Sequence, residues 1–361
     1  MASGFTKSDP IYGTVDLDDE YITNSNLLNF SSSSNLLAWG SQPYLGLPIG
    51  NGATVSSPTF VASTTLWKSV SASGNHAGGI KSDGSLWMWG RNIFGEVGNN
   101  STSGVTTPIQ IGSDTNWKDI ACGYYCNTAL KTDGTLWSWG FNNVGQLGLG
   151  DTTDRSSPCQ VGSANYWSKV WPLTYSNING MLVSKNDGTL WGMGNNGNGA
   201  FATGDTINRS SPVQIGNYNW KTIANQGSGF HGILTDGTLW FNGYGSYGAQ
   251  SFYGTTVPIQ VDAANDWDSI EPGMAIKKNG SAWYWGGYYT GNTNFMTQLG
   301  NTSDWRKIAY NQYNLSIGFK LDGSVWVWGP TNGTSTPVQY AAGSNWKTAI
   351  VNGNNQYVLT Y

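Results

Sequence analysis

The pattern Leu-Trp-x-Trp-Gly recurs along this chain of 361 residues, most cleanly at Leu86–Gly90 and Leu136–Gly140. A sequence period of about fifty residues predicts a ring or an array of similar small sheets. In the segment Leu86-Trp87-Met88-Trp89 both faces of the strand carry large side chains, almost all of them apolar. We therefore expect each such strand to be covered on both sides by neighbouring sheets.

Three further markers repeat in the same register. The Trp-Gly junction or a relic of it occurs seven times, at Trp39, Trp89, Trp139, Met193, Asn242, Trp285 and Trp328. A second marker, a tryptophan followed by two mostly polar residues and an apolar one, also occurs seven times, at Trp67, Trp117, Trp167, Trp220, Trp267, Trp305 and Trp346. A third marker, proline followed by an apolar residue and glutamine, occurs at Pro108, Pro158, Pro212, Pro258 and Pro337, with a looser form at Pro58. Asp-Gly or Asn-Gly pairs precede most Trp-Gly strands, and such pairs favour tight β-hairpin turns.

Each repeat is predicted to hold four short strands, for example around residues 108–111, 117–121, 128–131 and 135–139. No segment has a helical period. Four strands in each of seven units predict an all-β, seven-bladed propeller over residues 35–361. The last unit ends where a Trp-Gly strand should follow, and residues 35–40 supply that strand. We therefore expect the N- and C-terminal strands to pair and close the ring, which leaves residues 1–34 as an extended N-terminal arm.

Charge is concentrated in the arm. Residues 1–34 carry Lys7 against the acids Asp9, Asp16, Asp18, Asp19 and Glu20, which accounts for the formal net charge of −4. The remaining chain is neutral overall and lacks the basic balance that binding to nucleic acid requires. It also has no run of about eighteen apolar residues, so we expect no membrane insertion.

No nucleophile elbow, phosphate loop or zinc spacing occurs in the sequence, so we expect no catalytic residue, metal or cofactor. The two histidines, His76 and His231, each follow the second tryptophan marker of a repeat by about ten residues, which favours a structural role. Cys122 and Cys126 are interpreted as small buried thiols, and whether they pair is left open.

Two acidic segments carry the clustered oxygen ligands that calcium favours. They are Asp151-Thr-Thr-Asp154 and Asp205-Thr-Ile-Asn208. Each precedes Arg-Ser-Ser-Pro at an equivalent repeat position, so a loop capped by its own side chains is favoured over a calcium site.

Residues 131–150, followed by Pro158-Cys-Gln-Val161, closely resemble the repeat of the regulator of chromosome condensation (RCC1) family. The resemblance extends over residues 36–361, in a form similar to the bacterial and phage branch, and implies a seven-bladed propeller. The founding member is a nucleotide exchange factor that uses a basic tail and an inserted wedge. Here the arm is acidic and no wedge stands out, so that activity is not expected. Another relative inhibits β-lactamases through aromatic loops.

Aromatic residues that the repeat does not require are the candidates for binding. They include Tyr124, Tyr125, Trp171 and Tyr175, and the predicted partner-binding set on the propeller is Tyr244, Tyr247, Tyr253, Tyr288 and Tyr289. The alternative is that these side chains fill gaps left by degenerate repeats. In the arm, residues 11–15 alternate as a strand would, and Ile11, Tyr12, Val15 and Tyr21 are predicted contacts with a partner.

These features predict a non-enzymatic structural protein of a larger assembly. The favoured form is a phage virion component, such as a fibre, neck or capsid-decorating subunit, with the arm bound to other structural proteins of the assembly. The alternative is a stand-alone propeller, inhibitor-like or adhesin-like, whose tyrosine-rich face binds a host-surface protein or glycan. The expected location is the virion, with the bacterial cytoplasm or cell surface as the alternative.

Overall fold

The computed structural model describes residues 37–40, 55–60, 67–73, 76–175, 178–226, 228–244, 254–271, 273–286, 293–310, 316–329, 334–341, 346–352 and 355–360. Within these ranges, 28 strands form seven four-stranded antiparallel sheets. The predicted all-β, seven-bladed propeller is therefore confirmed. Among the same residues, no helix has the length and apolar character needed to cross a membrane.

We number the blades by their Trp-Gly junctions. The chain begins with β1 (Leu37–Gly40) and β2 (Val55–Phe60) of blade 1. Blade 2 holds β3 (Trp67–Ser73), β4 (His76–Lys81), β5 (Leu86–Gly90) and β6 (Val105–Gln110). Blade 3 holds β7 (Trp117–Cys122), β8 (Cys126–Lys131), β9 (Leu136–Gly140) and β10 (Arg155–Gln160). Blade 4 holds β11 (Trp167–Tyr175), β12 (Ile178–Lys185), β13 (Leu190–Gly194) and β14 (Arg209–Gln214).

The remaining blades repeat this order. Blade 5 holds β15 (Trp220–Gln226), β16 (Ser228–Leu234), β17 (Leu239–Tyr244) and β18 (Thr255–Gln260). Blade 6 holds β19 (Trp267–Glu271), β20 (Met274–Lys277), β21 (Ala282–Gly286) and β22 (Thr293–Gln298). Blade 7 holds β23 (Trp305–Tyr310), β24 (Ser316–Lys320), β25 (Val325–Gly329) and β26 (Thr334–Ala341). The chain ends with β27 (Trp346–Asn352) and β28 (Asn355–Thr360), which complete blade 1.

Blade 1 closes the ring with strands from both ends of the chain. Its order is β2, β1, β28, β27, and β1 pairs with β28 from Leu37 opposite Val358 to Gly40 opposite Asn355. The predicted closure is thus confirmed. Pairing across the two chain ends satisfies the backbone groups that an open seam would expose.

The propeller has two distinct faces. The first strands of blades 2 to 7 contact one another in sequence, which places them innermost, around the central channel. Each first strand begins beside the end of the second, as Trp117 does opposite Lys131. We call this end, with its hairpins between second and third strands, the hairpin face. The opposite end carries the long loops between third and fourth strands, and we call it the long-loop face.

Packing between blades forms the core. In one cluster, Met88 of blade 2 lies with Ile120 and Trp139 of blade 3, and all three are fully buried. Burying one tryptophan side chain contributes about 4 kcal/mol of hydrophobic stabilisation. The second tryptophan of the repeat pattern is buried as predicted, whereas the first, such as Trp137, is only half-buried.

Candidate binding face

The hairpin face is built from one device that repeats around the ring. The Asp133 carboxylate accepts hydrogen bonds from the Thr135 amide (3.0 Å) and hydroxyl (2.7 Å). The Thr135 hydroxyl in turn accepts one from the Trp137 indole (2.9 Å). Gly134, with a φ of +82°, makes the turn that only glycine adopts easily. The same arrangement starts at Asp83, Asp187, Asp236, Asn279 and Asp322.

A lysine lies between two tryptophans beside most of these turns. The Lys131 ammonium is 4.1 Å from the Trp137 ring centroid, 4.8 Å from that of Trp117 and 2.7 Å from the Asp114 carboxylate. The equivalent lysines are Lys81, Lys185, Lys277 and Lys320. Because five blades share the stack, we interpret it as structural rather than as a binding site.

The long loops are held by their own side chains. In blade 3, the Asn142 amide donates to the carbonyl oxygens of Asp151 (3.1 Å) and Thr153 (3.0 Å), and its oxygen accepts from the Leu147 amide (3.0 Å). The Asp151 carboxylate accepts from the Thr153 amide (2.8 Å) and pairs with Arg155 (2.6 Å). The hydrogen bond from Thr153 is the main cause that lowers the pKa of Asp151. Asn196 and Asp205 repeat the arrangement in blade 4. The capped-loop interpretation of both acidic segments is therefore confirmed.

One group of side chains on the long-loop face does not repeat. The Phe94 ring lies 4.3 Å from Phe141 and 5.3 Å from Tyr125, and Tyr124 lies 4.4 Å from Tyr125. The Arg91 guanidinium lies 4.4 Å from the Tyr125 ring centroid. We call these five residues the aromatic–arginine cluster. All are half-buried, and they join the loops of blades 2 and 3. Beside them Ile93 is 59% exposed.

A buried polar network holds the loop that carries Phe94 of the aromatic–arginine cluster. Desolvation lowers the pKa of His76 to about 4, so its ring is neutral at pH 7. His76 Nε2 lies 2.8 Å from Asn127 Oδ1, and Asn127 Nδ2 donates to the Glu96 carbonyl (2.7 Å). The Trp139 indole donates to the same carbonyl (2.8 Å), and the Glu96 carboxylate accepts from the Phe94 amide (2.7 Å). Because Asn127 Oδ1 only accepts, the His76 proton is on Nε2. His76 thus positions a loop.

The other residues considered from sequence are also placed in the core. His231 is fully buried, with its ring 4.8 Å from both Phe241 and Trp285. Cys122 and Cys126 are free and buried, and desolvation raises the pKa of each thiol to about 12. These side chains are structural, and the thiols are not ionised at neutral pH.

Of the predicted partner-binding residues, Tyr244 lies at the end of β17 on the long-loop face and is 47% exposed. Ile11, Tyr12, Val15, Tyr21, Tyr247, Tyr253, Tyr288 and Tyr289 lie outside the described residues. Tyr124 and Tyr125 fall in the aromatic–arginine cluster, whereas Trp171 fills the core.

No prediction from the sequence included Arg91, Phe94 or Phe141. Arg91 and Phe141 directly follow a Trp-Gly junction, where blade 4 has Asn195. That contrast between equivalent positions was a usable signal, since the repeat itself does not demand an arginine or an aromatic side chain there.

Comparison with known families and structures agrees with this architecture. The regulator of chromosome condensation (RCC1) repeat matches residues 83–130 and 133–170, and a second form of the same repeat matches residues 67–96 and 117–146. Comparison with curated proteins gives no significant match.

Three solved structures share the fold. Human WBSCR16 superposes with a TM-score of 0.74 at 14% identity, over 91% of this chain and 99% of that chain. Prp20p from Saccharomyces cerevisiae, studied for its binding to Gsp1p and histones, gives 0.73 at 16% identity, over 93% of both chains. Yeast RCC1 (Prp20) bound to Kap60 gives 0.73 at 14% identity, over 100% of this chain and 95% of that chain.

Proposed function

Because residues 67–170 carry RCC1 repeats within a seven-bladed propeller, we propose that the chain is a non-enzymatic binding protein whose long-loop face recognises another protein. The aromatic–arginine cluster is the centre of the proposed site. The observation that supports this is its irregularity, because five contacting side chains from two blades form a group that the repeat does not require.

The chemistry of the cluster suits protein recognition. Tyrosine and arginine are enriched among the residues that dominate binding energy, and aromatic rings provide large contact areas with few rotatable bonds. The positions of Arg91 and Phe94 are taken by Asn195 and Asn198 in the loop of blade 4. The arginine and aromatic side chains are therefore confined to one part of this face. A binding site explains that confinement, whereas a packing requirement of the repeat would place them in every blade.

The cluster is also held in place before any partner arrives. The carboxylate of Glu96 accepts from the Phe94 amide (2.7 Å), and the Phe141 amide donates to the Tyr125 carbonyl (2.9 Å). Loops that are already ordered lose little conformational entropy on binding, which favours affinity. Tyr244 and Ile207, which is 65% exposed, extend the same face on blades 4 and 5.

The structural relatives support protein binding as a use of this fold. Prp20p binds Gsp1p and histones, and yeast RCC1 forms a complex with Kap60. Those partners belong to those proteins, and the low sequence identities transfer only the fold. The partner proposed here is a protein, and a glycan on the same face is the alternative outcome of the test.

In its finer form, the proposal makes the chain a phage virion component, with residues 1–34 as the anchor to other structural proteins. Its support is the sequence alone, namely the marker-free acidic arm and the style of the repeat. Purified virions should then contain the chain in fixed stoichiometry, and virions without it would contradict this form while leaving the binding face untouched.

The binding face is tested with single substitutions in the full chain. Arg91→Ala and Tyr125→Ala should each weaken binding of the captured protein partner by about 30-fold, because hot-spot truncations cost about 2 kcal/mol. Tyr244→Ala shows whether the site extends to blade 5. The matched control is Leu321→Ala, since Leu321 is 70% exposed but lies in a turn of the hairpin face.

The measurement is quantitative capture followed by titration with the purified partner. A partner that binds the wild type, Leu321→Ala and both cluster variants equally contradicts the proposed site. Binding of a glycan from an array, abolished by Tyr125→Ala, would favour the alternative ligand.

A further inference from the structure

The proline marker of the repeat lies on the outer rim of the propeller. In each blade the outermost strand is the last of its sheet, so among the described strands it has a neighbour on one side only. Such an edge can pair with a strand of another molecule, and natural proteins obstruct it with proline, which has no N–H to donate. Six of the seven outermost strands carry this proline, at Pro58, Pro108, Pro158, Pro212, Pro258 and Pro337. The exception is β22 of blade 6.

Strand pairing shows which residue of β22 replaces the proline. In blade 3, Pro158 comes just before Cys159, which pairs with the middle residue of the Leu-Trp-x-Trp-Gly strand. Thr297 pairs with the same position in blade 6. Met296 therefore stands where the other six blades have proline.

Hydrogen bonding gives the direction of the backbone groups along β22. The Leu299 amide donates to the Ala282 carbonyl (2.8 Å), so the backbone groups of Leu299 point into the sheet. These directions alternate along a strand, so the groups of Thr297 also point inwards, whereas those of Met296 and Gln298 point away from the blade. Met296 thus directs outwards the donor that proline lacks in the other blades.

The loop of the preceding blade contacts an earlier part of this edge. Its backbone N–H groups donate to the carbonyls of Ser156, Ser210 and Thr256 on the outermost strands of blades 3, 4 and 5, at 2.7 to 2.9 Å. Each acceptor lies two residues before the proline of its strand, so the contact comes ahead of the stretch from the proline to the glutamine. Residues 296–298 are the corresponding stretch of β22.

This stretch is complementary to a second copy of itself. When Thr297 lies opposite Thr297 of another copy, antiparallel pairing sets Met296 opposite Gln298 on both sides of it. Both residues direct N–H and C=O outwards, so each of these pairs exchanges two backbone hydrogen bonds about a two-fold axis. No charged residue stands between Lys278 and Asp304, so this segment brings no like charges together when two copies meet.

We propose that β22 pairs with β22 of a second copy of this chain, antiparallel and centred on Thr297, and so forms a symmetric dimer. The paired stretch is short, so the dimer dissociates on dilution. It lies on the outer rim of blade 6, whereas the aromatic–arginine cluster joins loops of blades 2 and 3. Both copies therefore keep their long-loop faces open, and the dimer gains avidity for a partner that offers two sites.

Disulfide trapping in the full chain tests the register. Thr297→Cys places the two residues opposite each other at a Cα separation of about 4.5 Å, which a disulfide can bridge. Oxidation by air with copper–phenanthroline should then give a linked dimer. Gln298→Cys changes a more exposed residue of the same strand, but its two copies lie about 8 Å apart and should give little linked dimer.

The wild type contains a matched control for this experiment. Cys159 holds the position of Thr297 on β10, directly after Pro158, and is half-buried. Because the proline obstructs that edge, the wild type should give no linked dimer through Cys159 under the same oxidation. Peptide mapping of the linked product identifies the cysteine that formed the disulfide.

Sedimentation velocity measures association without an added thiol. The fraction of dimer in the wild type should rise with concentration. Met296→Pro should lower the association constant about 30-fold, because the dimer loses one backbone hydrogen bond from each copy. Since six blades have proline at this position, the variant should fold. Met296→Leu keeps the N–H and should associate as the wild type does.

A wild type that stays monomeric at the highest concentration it tolerates overturns the proposal, and so does a Met296→Pro variant that associates equally. Equal trapping through Gln298→Cys or through Cys159 contradicts the register and overturns it as well. A monomeric chain that loses a foreign strand on Met296→Pro would show that the edge serves a different protein. None of these results bears on Arg91 or Tyr125, so the two proposals fail separately.

Discussion

The two faces of this propeller differ in how far their side-chain arrangements repeat from blade to blade. On the hairpin face, six blades use one arrangement of aspartate or asparagine, glycine, hydroxyl and indole, and five add a lysine between tryptophans. On the long-loop face, blades 2 and 3 share an aromatic–arginine cluster that blade 4 replaces with asparagines. Repetition therefore marks what holds the ring together, and the aromatic–arginine cluster that we propose as a binding site departs from it.

Blades 3 and 5 show how far the pattern can erode without losing its contacts. In blade 3, the Trp139 indole donates to the Glu96 carbonyl of the preceding blade (2.8 Å). In blade 5, Asn242 replaces that tryptophan and donates to the carbonyls of Gly199 and Ala200 of the preceding blade, both at 2.9 Å. The hydrogen bond between blades is conserved although the residue is not.

The largest expected effect is the loss of folding stability when a turn of the hairpin face is disrupted. A Cβ on Gly134 would lie 2.2 Å from the Asn165 carbonyl oxygen, at a φ of +82°. Gly134→Ala should lower the free energy of unfolding by about 4 kcal/mol, through the clash and the strained backbone together. The control is Gly162→Ala, where φ is +61° and no atom lies within 4 Å, so only strain of about 1 kcal/mol is expected. Equal losses in urea unfolding would show that close approach is unimportant on this face.

The second effect concerns the network beneath the aromatic–arginine cluster. The pKa of His76 is about 4 in the folded chain against an ordinary 6.5. As pH falls below 6.5, the unfolded chain takes up the proton first, so stability present above that pH is lost on the way to pH 4. The wild type should lose about 2 kcal/mol between pH 6.5 and pH 4.5 that His76→Gln does not lose. Urea titrations at both values check this, and parallel losses in the two proteins would contradict the buried neutral histidine.

The smallest effect sharpens the view that the lysine stacks are structural. Lys131→Met keeps an apolar stem but removes the charge from between Trp117 and Trp137. The loss should be about 1 kcal/mol, from the cation–π contacts and the Asp114 pair. The control is Lys278→Met, which changes an exposed lysine in a turn of the hairpin face and should leave thermal stability unchanged. A Lys131→Met protein that binds its partner normally would support the division between the faces, whereas lost binding would place function on the hairpin face.

Much of the fold was predictable because the residues that define the repeat shape the chain in their immediate neighbourhood. Asp-Gly pairs such as Asp133-Gly134 favour a hairpin turn, and strands that are large and apolar on both faces must be covered on both sides. The strand at residues 37–40 was expected to close the ring because the last repeat unit lacks its Trp-Gly strand. Tyr124 and Tyr125 were visible as aromatics that the repeat does not need. Arg91, Phe94 and Phe141 were not recognised, because they meet only when loops of two blades come together.

By itself, the sequence determined the number of blades and the seam, since both depend on periodicity and on residues close in the chain. Only the tertiary structure decided which side chains share a surface. Phe94 and Phe141 lie about fifty residues apart yet in contact, and Lys68, Lys118 and Lys169 come from three blades to interact with Asp119. The physical reason is that closing the ring aligns equivalent positions of successive repeats. A period of about fifty residues along the chain becomes a distance of a few ångströms between neighbouring blades.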